Sequence, residues 1–204
     1  MIDNFDLIKE HLDFTDPDDF YFVQSFVRGK DGREMNIDGG SVNGNNKNRL
    51  VRFWTIKSRE ELIYAKPDII SICNAVNARA YIHSAKRSFH EVANEFMRIS
   101  MASYTTENYA GLKGAYSSAC GIVAKEKRYL VDIDEKNEEL VAQVRNFIDL
   151  KCLPAGDCVL YEVPTLHGYH LICKPFDKHT FNLEFPDIYV HKNNPTLLYY
   201  NENN

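Results

Sequence analysis

Two carboxylates alternate into an apolar run, Arg128-Tyr129-Leu130-Val131-Asp132-Ile133-Asp134. Alternate residues of a strand project to one face, so Asp132 and Asp134 are expected side by side. Like charges held that close repel, and a divalent cation relieves the repulsion. A second apolar run, Gly168-Tyr169-His170-Leu171-Ile172, opens with a histidine behind a glycine. Paired acids beside an imidazole suit chemistry on phosphates. His167 does not pair with His170 on a metal, because strand positions three apart face opposite ways. Two plainer readings stand beside the sharp one: the acids end a strand in a polar loop, with Asp134 or Asn137 capping the next helix, and His170 is a half-buried structural residue.

The elements that must position these groups follow from local pattern. A short helix is expected within 3–12, strands over 20–27 and 50–56 that pair as a hairpin, and between them a Gly- and Asn-rich loop or flap over 29–48. That loop and its margin hold only Lys30, Arg33, Lys47 and Arg49 as basic residues. Ser58 and Glu61 form a capping box for a helix that Pro67 is expected to interrupt. Ala78–His83 reads as a strand with Arg79, Tyr81 and His83 on one face. Ser88 opens a longer helix through Val92, Phe96 and Ile99, and 112–125 is a further helix candidate. A strand at 128–134, a helix at 137–150 and strands at 158–163 and 168–173 follow, and 181–200 is strand-rich. The order predicts one α+β domain with helices packed on a mixed sheet, divided into sub-modules 1–109 and 110–204.

The chain has 204 residues, 44% of them apolar and 26% charged, enough for one ordinary globular core. A net charge of −5 argues against nonspecific coating of DNA or RNA, though not against a local basic groove. Five scattered cysteines without a CxxC pair predict reduced thiols, no zinc site and a cytoplasmic setting. The acidic N-terminus lacks a signal core, and no apolar run reaches the roughly 20 residues of a membrane span.

The Asp132-x-Asp134 strand, the Gly168-x-His170 strand and a later acid before a terminal strand together resemble the archaeo-eukaryotic primase superfamily over about residues 125–200. Its three motifs are an Asp-x-(Asp/Glu) metal pair, a Ser-x-His and a hydrophobic-acidic step. Gly168 stands where serine is usual. Asp187 in Pro186-Asp187-Ile188-Tyr189 is the candidate third acid, and Glu184 the fallback. The resemblance implies a primase-like core with an RRM-like C-terminal β-α-β-β unit, in a small member of the plasmid or phage type that works in the (host) cytoplasm. It implies Mg²⁺ or Mn²⁺ on Asp132, Asp134 and Asp187, with His170 on the phosphates of a nucleoside triphosphate. Lys174, Arg79 and Arg87 would share that charge, Arg87 because it precedes a helix start. The implied partners are single-stranded nucleic acid and replication proteins. Two further readings of the same residues are a nucleic-acid- or protein-binding module that kept the fold without turnover and a metal-dependent nuclease.

Overall fold

The computed structural model describes residues 1–28 and 48–202; the expected 29–48 loop, save Asn48, lies outside the described residues. In chain order the first elements are β1 (Ile2–Asp3), α1 (Phe5–Glu10), β2 (Asp19–Val27), β3 (Arg49–Ile56), α2 (Arg59–Val76), β4 (Arg79–His83), β5 (Arg87–Ser88) and α3 (Phe89–Thr105). A 3-10 helix over Tyr109–Gly114 leads into α4 (Ala115–Ile122), β6 (Tyr129–Ile133), α5 (Glu138–Lys151) and β7 (Val159–Pro164). The chain ends with β8 (Tyr169–Cys173), α6 (Lys178–Glu184), β9 (Tyr189–Lys192) and β10 (Pro195–Tyr200).

The α+β class holds. The strands, however, divide between two antiparallel sheets instead of forming one mixed sheet. The first has the order β1-β10-β4-β2-β3, with β5 pairing on β2. Its strand β2 is buried from Asp19 to Ser25 because both faces are covered. Tyr21 and Val23 join a core with α1 and α2, while Phe20 and Phe22 join a second core with Val92 of α3 and Ala119 and Cys120 of α4. The β2–β3 hairpin is continuous from Tyr21 opposite Ile56 to Val27 opposite Arg49, with a bulge between Ser25 and Phe26.

The second sheet has the order β7-β8-β6-β9. With α5 and α6 it makes a complete β-α-β-β-α-β, the split arrangement of RRM-like units, one helix and one strand longer than expected. Strand alternation divides its side chains. Val131, Ile133 and Leu171 pack on Val141, Val144 and Ile148 of α5 and Phe181 of α6. Leu130 and Ile172 point the other way and merge into the core of the first sheet. Asp132 and His170 share that second face, two residues further along.

Several expectations change. Helix α2 runs through Pro67. The proline forfeits one backbone hydrogen bond, but Leu62 and Ile69, fully buried on either side of it, hold the helix against the core. Ser58 caps it as expected, and the Glu61 carboxylate accepts from the Lys57 N–H at 2.6 Å. Segment 112–125 splits at Gly114 into the 3-10 turn and α4. Part of the strand-rich 181–200 is instead α6, whose cap Asp177 accepts from the N–H groups of His179 and Thr180. Contacts cross the 109/110 position: α4 packs on α3, and β10 pairs with β1 and β4. Among the described residues no helix is long and apolar enough to cross a membrane.

Candidate functional site

Antiparallel pairing of β6 with β8 sets Asp132 directly opposite His170. Directly opposed residues share a face, and here the imidazole Nε2 lies 3.3 Å from Asp132 Oδ1. The other ring nitrogen, Nδ1, is 2.8 Å from the Thr196 hydroxyl on β10. The hydrogen bond from His170 holds the Asp132 carboxyl below the usual carboxylate range. Partial burial opposes that shift, and His191 and Arg28 nearby reinforce it. Asp134 is exposed at the end of β6. Asn137, not Asp134, caps α5, accepting from the Leu140 N–H at 3.1 Å. The acid pair is therefore not consumed by the helix that follows it.

Gly168 allows this approach. A Cβ there would fall on the Ile133 carbonyl oxygen and lie 2.6 Å from the Glu135 nitrogen. The serine of the resembled motif thus has no room at this position; the backbone beyond β6 occupies it. Thr165 clasps the glycine from both sides, its N–H donating to the Gly168 carbonyl at 2.8 Å and its hydroxyl accepting from the Gly168 N–H at 3.0 Å.

The site opens into a cleft of about 370 Å³ between the two sheets, a volume in the small-molecule range. Asp132, Asp134 and His170 line one wall. Phe26, Arg28, Arg79 and Tyr81 enter from β2 and β4, His191 from β9 and His167 from the β7–β8 turn. The Arg79 guanidinium stacks over the Tyr200 ring at 4.3 Å. The cleft is bipartite: acids and histidines at one side, arginines and two aromatic rings at the other.

Of the residues singled out in the sequence, the structure brings Asp132, Asp134, His170 and Arg79 onto this cleft. It does not bring Asp187, Lys174 or Arg87 there. Asp187 is exposed in the turn before β9 and Glu184 is exposed in α6, and neither lines the cleft. The cleft residue of that segment is His191, placed by its register opposite Leu130. Lys174 is exposed just beyond β8, four residues along the strand from His170. Arg87 is fully buried, and its guanidinium donates to the Cys120 and Ala85 carbonyls and to His83 Nδ1. That fan of bonds makes it a structural residue. His83 is likewise sealed, at 5% exposure, away from the cleft that its face-mates Arg79 and Tyr81 line.

Arg28, His191 and Thr196 line or support the site and are not among the residues singled out in the sequence. The alternation in Tyr189-Val190-His191 held a signal for the second. Thr196 sits in an apolar run where nothing distinguishes it. Among the described residues, no group of three or more His, Cys, Asp and Glu side chains is arranged to hold a metal ion. Asp132 and Asp134 remain as oxygen donors of the kind Mg²⁺ or Mn²⁺ accepts when substrate phosphates complete the shell, so the pair fits such an ion only together with a phosphate ligand. No family model matches the chain, and no curated protein or solved structure matches it.

Proposed function

We propose that the cleft carries out metal-dependent nucleotidyl transfer of the primase or polymerase type, on a nucleoside triphosphate and a nucleic-acid strand. The observation that carries this reading is the meeting of Asp132, Asp134 and His170, with Arg28 and Arg79, in one cleft between two sheets. Phosphoryl chemistry needs carboxylates for the cation and donors for the triphosphate oxygens, and both sets are present. Asp132 and Asp134 would hold Mg²⁺ or Mn²⁺, which activates the attacking hydroxyl and offsets charge on the pyrophosphate. His170 Nε2 donates to a phosphate oxygen. Arg28 and Arg79 bind the remaining phosphate charge with their forked donors. Phe26 and Tyr81, whose ring centroids are 6.3 Å apart, give the base an apolar wall. The five free, buried thiols suit a reducing cytoplasm, where replication proteins would be the partners.

The test is nucleotide addition to a primed or unprimed template with either metal. Wild-type protein should extend strands, and Asp132→Ala with Asp134→Ala should abolish extension. No addition by wild type under any of these conditions removes the reading, and shortened strands would make the protein a nuclease.

One observation favours a second reading, a nucleotide- or strand-binding module without turnover. The third acidic position is filled by His191, and Asp132 is already engaged by His170. That module would bind single-stranded DNA equally well with and without a chelator.

A further inference from the structure

His170 is gripped at both ring nitrogens, by groups from two different sheets. Nε2 faces Asp132 across β6 and β8, and Nδ1 faces the hydroxyl of Thr196 at 2.8 Å. Thr196 is 0% exposed and fixed in the β10–β4 ladder opposite Ile82. Thr196 holds its buried hydroxyl at the back of a cleft histidine, where valine would fill the same space without that contact. We propose that Thr196 is a positioning residue, anchoring the imidazole from behind so that Nε2–H always points into the cleft.

The groups on either side of the ring fix which nitrogen carries hydrogen. A carboxylate only accepts, so the nitrogen facing Asp132 carries hydrogen. In a neutral ring Nδ1 is then a bare acceptor and requires a donor, which the Thr196 hydroxyl supplies. In a doubly protonated ring Nδ1 carries hydrogen, and the same hydroxyl rotates to accept it. A backbone carbonyl in that place would serve only the second case. A hydroxyl serves both, so the ring keeps one orientation whatever its charge, and an anionic oxygen entering the cleft meets a donor. β10 thereby ties the first sheet to the reacting wall of the second. The orientation of the ring stands on these contacts alone; its use on a phosphate rests on the nucleotidyl-transfer reading.

The experiment uses the full chain labelled with ¹⁵N and reads the ring nitrogens of His170 by two-bond proton–nitrogen correlation, with a His170→Gln sample for assignment. Under conditions where the ring is neutral, wild type should show hydrogen on Nε2 and a hydrogen-bonded, unprotonated Nδ1. Thr196→Val should move the Nδ1 resonance toward that of a free lone pair, and Thr196→Ser should return it. Binding of Mg²⁺ with inorganic triphosphate should weaken roughly tenfold in Thr196→Val and recover in Thr196→Ser, the scale expected for a group that orients a ligand-binding histidine. A wild-type ring protonated on Nδ1, or His170 signals unchanged in Thr196→Val, overturns the proposal. Should Thr196→Val not fold, a Thr196→Ser spectrum unlike wild type overturns it and a matching one upholds it. Ring signals that behave as expected in a protein that binds no triphosphate would leave the anchor in place and remove the nucleotidyl-transfer reading instead.

Discussion

His83 and His170 each have both ring nitrogens engaged, yet one lies in a sealed cluster and the other on a cleft. His83 Nδ1 accepts from Arg87 Nη2 at 2.7 Å, so its Nε2–H donates to Gln24 Oε1 at 3.2 Å, and Gln24 passes a hydrogen bond to Ser117 at 2.9 Å. Burial and the adjacent guanidinium bring this histidine down to about 3. The ring is neutral by construction. His170 instead has a carboxylate partner and a side chain that stays 14% exposed. There the pairing acts on the acid, lowering Asp132. A fixed cation behind a buried ring makes a strut. A carboxylate in front of an open one makes a place where charge can be exchanged for a ligand.

Arg87 holds the sealed cluster together. Arg87→Ala removes the donor to two carbonyls and to His83 Nδ1 and leaves a cavity, at a cost of about 4 kcal/mol. Urea unfolding should show it as a lower midpoint. A change under about 1 kcal/mol would mean that the sealed cluster contributes little to the fold. Next in size is Gly168→Ser, which installs the residue usual in the resembled motif. Its Cβ collides with backbone rather than with a movable side chain. The expected loss is roughly 2–3 kcal/mol, with no gain in triphosphate binding. A stable, more active Gly168→Ser would show that the backbone beyond β6 yields to a side chain at this position.

What was legible in the sequence was whatever depends on near neighbours. Alternation placed Asp132 and Asp134 together, and Ser58 and Glu61 announced their helix. What depends on register between distant strands was not legible. Arg79 and Arg87 are eight positions apart, and nothing in the sequence around them says which one faces a cleft. One reaches the cleft because β4 faces it, and the other is walled in because β5 turns back onto β2 under α4. Asp187 looked like a third acid because its position in the chain was right. Only the pairing of β9 with β6 shows that His191 holds the inward place. Thr196 was invisible for the same reason: its partner is 26 residues away in another sheet.

The two histidines should also separate on acidification. His83 binds its proton near pH 6.5 when unfolded and only near 3 when folded, so the unfolded state holds more protons across that window. Stability therefore rises with pH there and falls as pH drops below about 6.5, by up to about 1.4 kcal/mol per unit. Between pH 7 and 5 the loss attributable to His83 is about 2 kcal/mol. Asp132, with its lowered carboxyl, acts elsewhere: its contribution is present above the ordinary carboxylate value and is lost only as pH falls through the lower folded one. The groups around the His83 ring are Arg87, Gln24, Phe22 and the Asn193 carbonyl, none of which titrates between pH 5 and 7. Unfolding midpoints of wild type and His83→Gln at pH 7 and 5 isolate the effect. A His83→Gln protein with an undiminished slope would assign that loss to other groups.

The smallest expected change in stability belongs to Arg79, the counterpart of Arg87 on the open side. Its guanidinium carbon lies 4.3 Å from the centre of the Tyr200 ring, a contact worth about 1 kcal/mol. Arg79→Ala should therefore lower stability by about that amount, a fraction of the Arg87→Ala loss. Its binding of Mg²⁺ with inorganic triphosphate should fall by more than its stability does, about tenfold or 1.4 kcal/mol, because a forked donor is withdrawn from the anion. Arg79→Lys sharpens the point: it keeps the charge and part of the stack but loses the fork, so it should recover stability before it recovers affinity. If Arg79→Ala instead unfolds as readily as Arg87→Ala while the folded fraction binds triphosphate normally, Arg79 is a second strut, and the phosphate load falls on Arg28 and His170 alone.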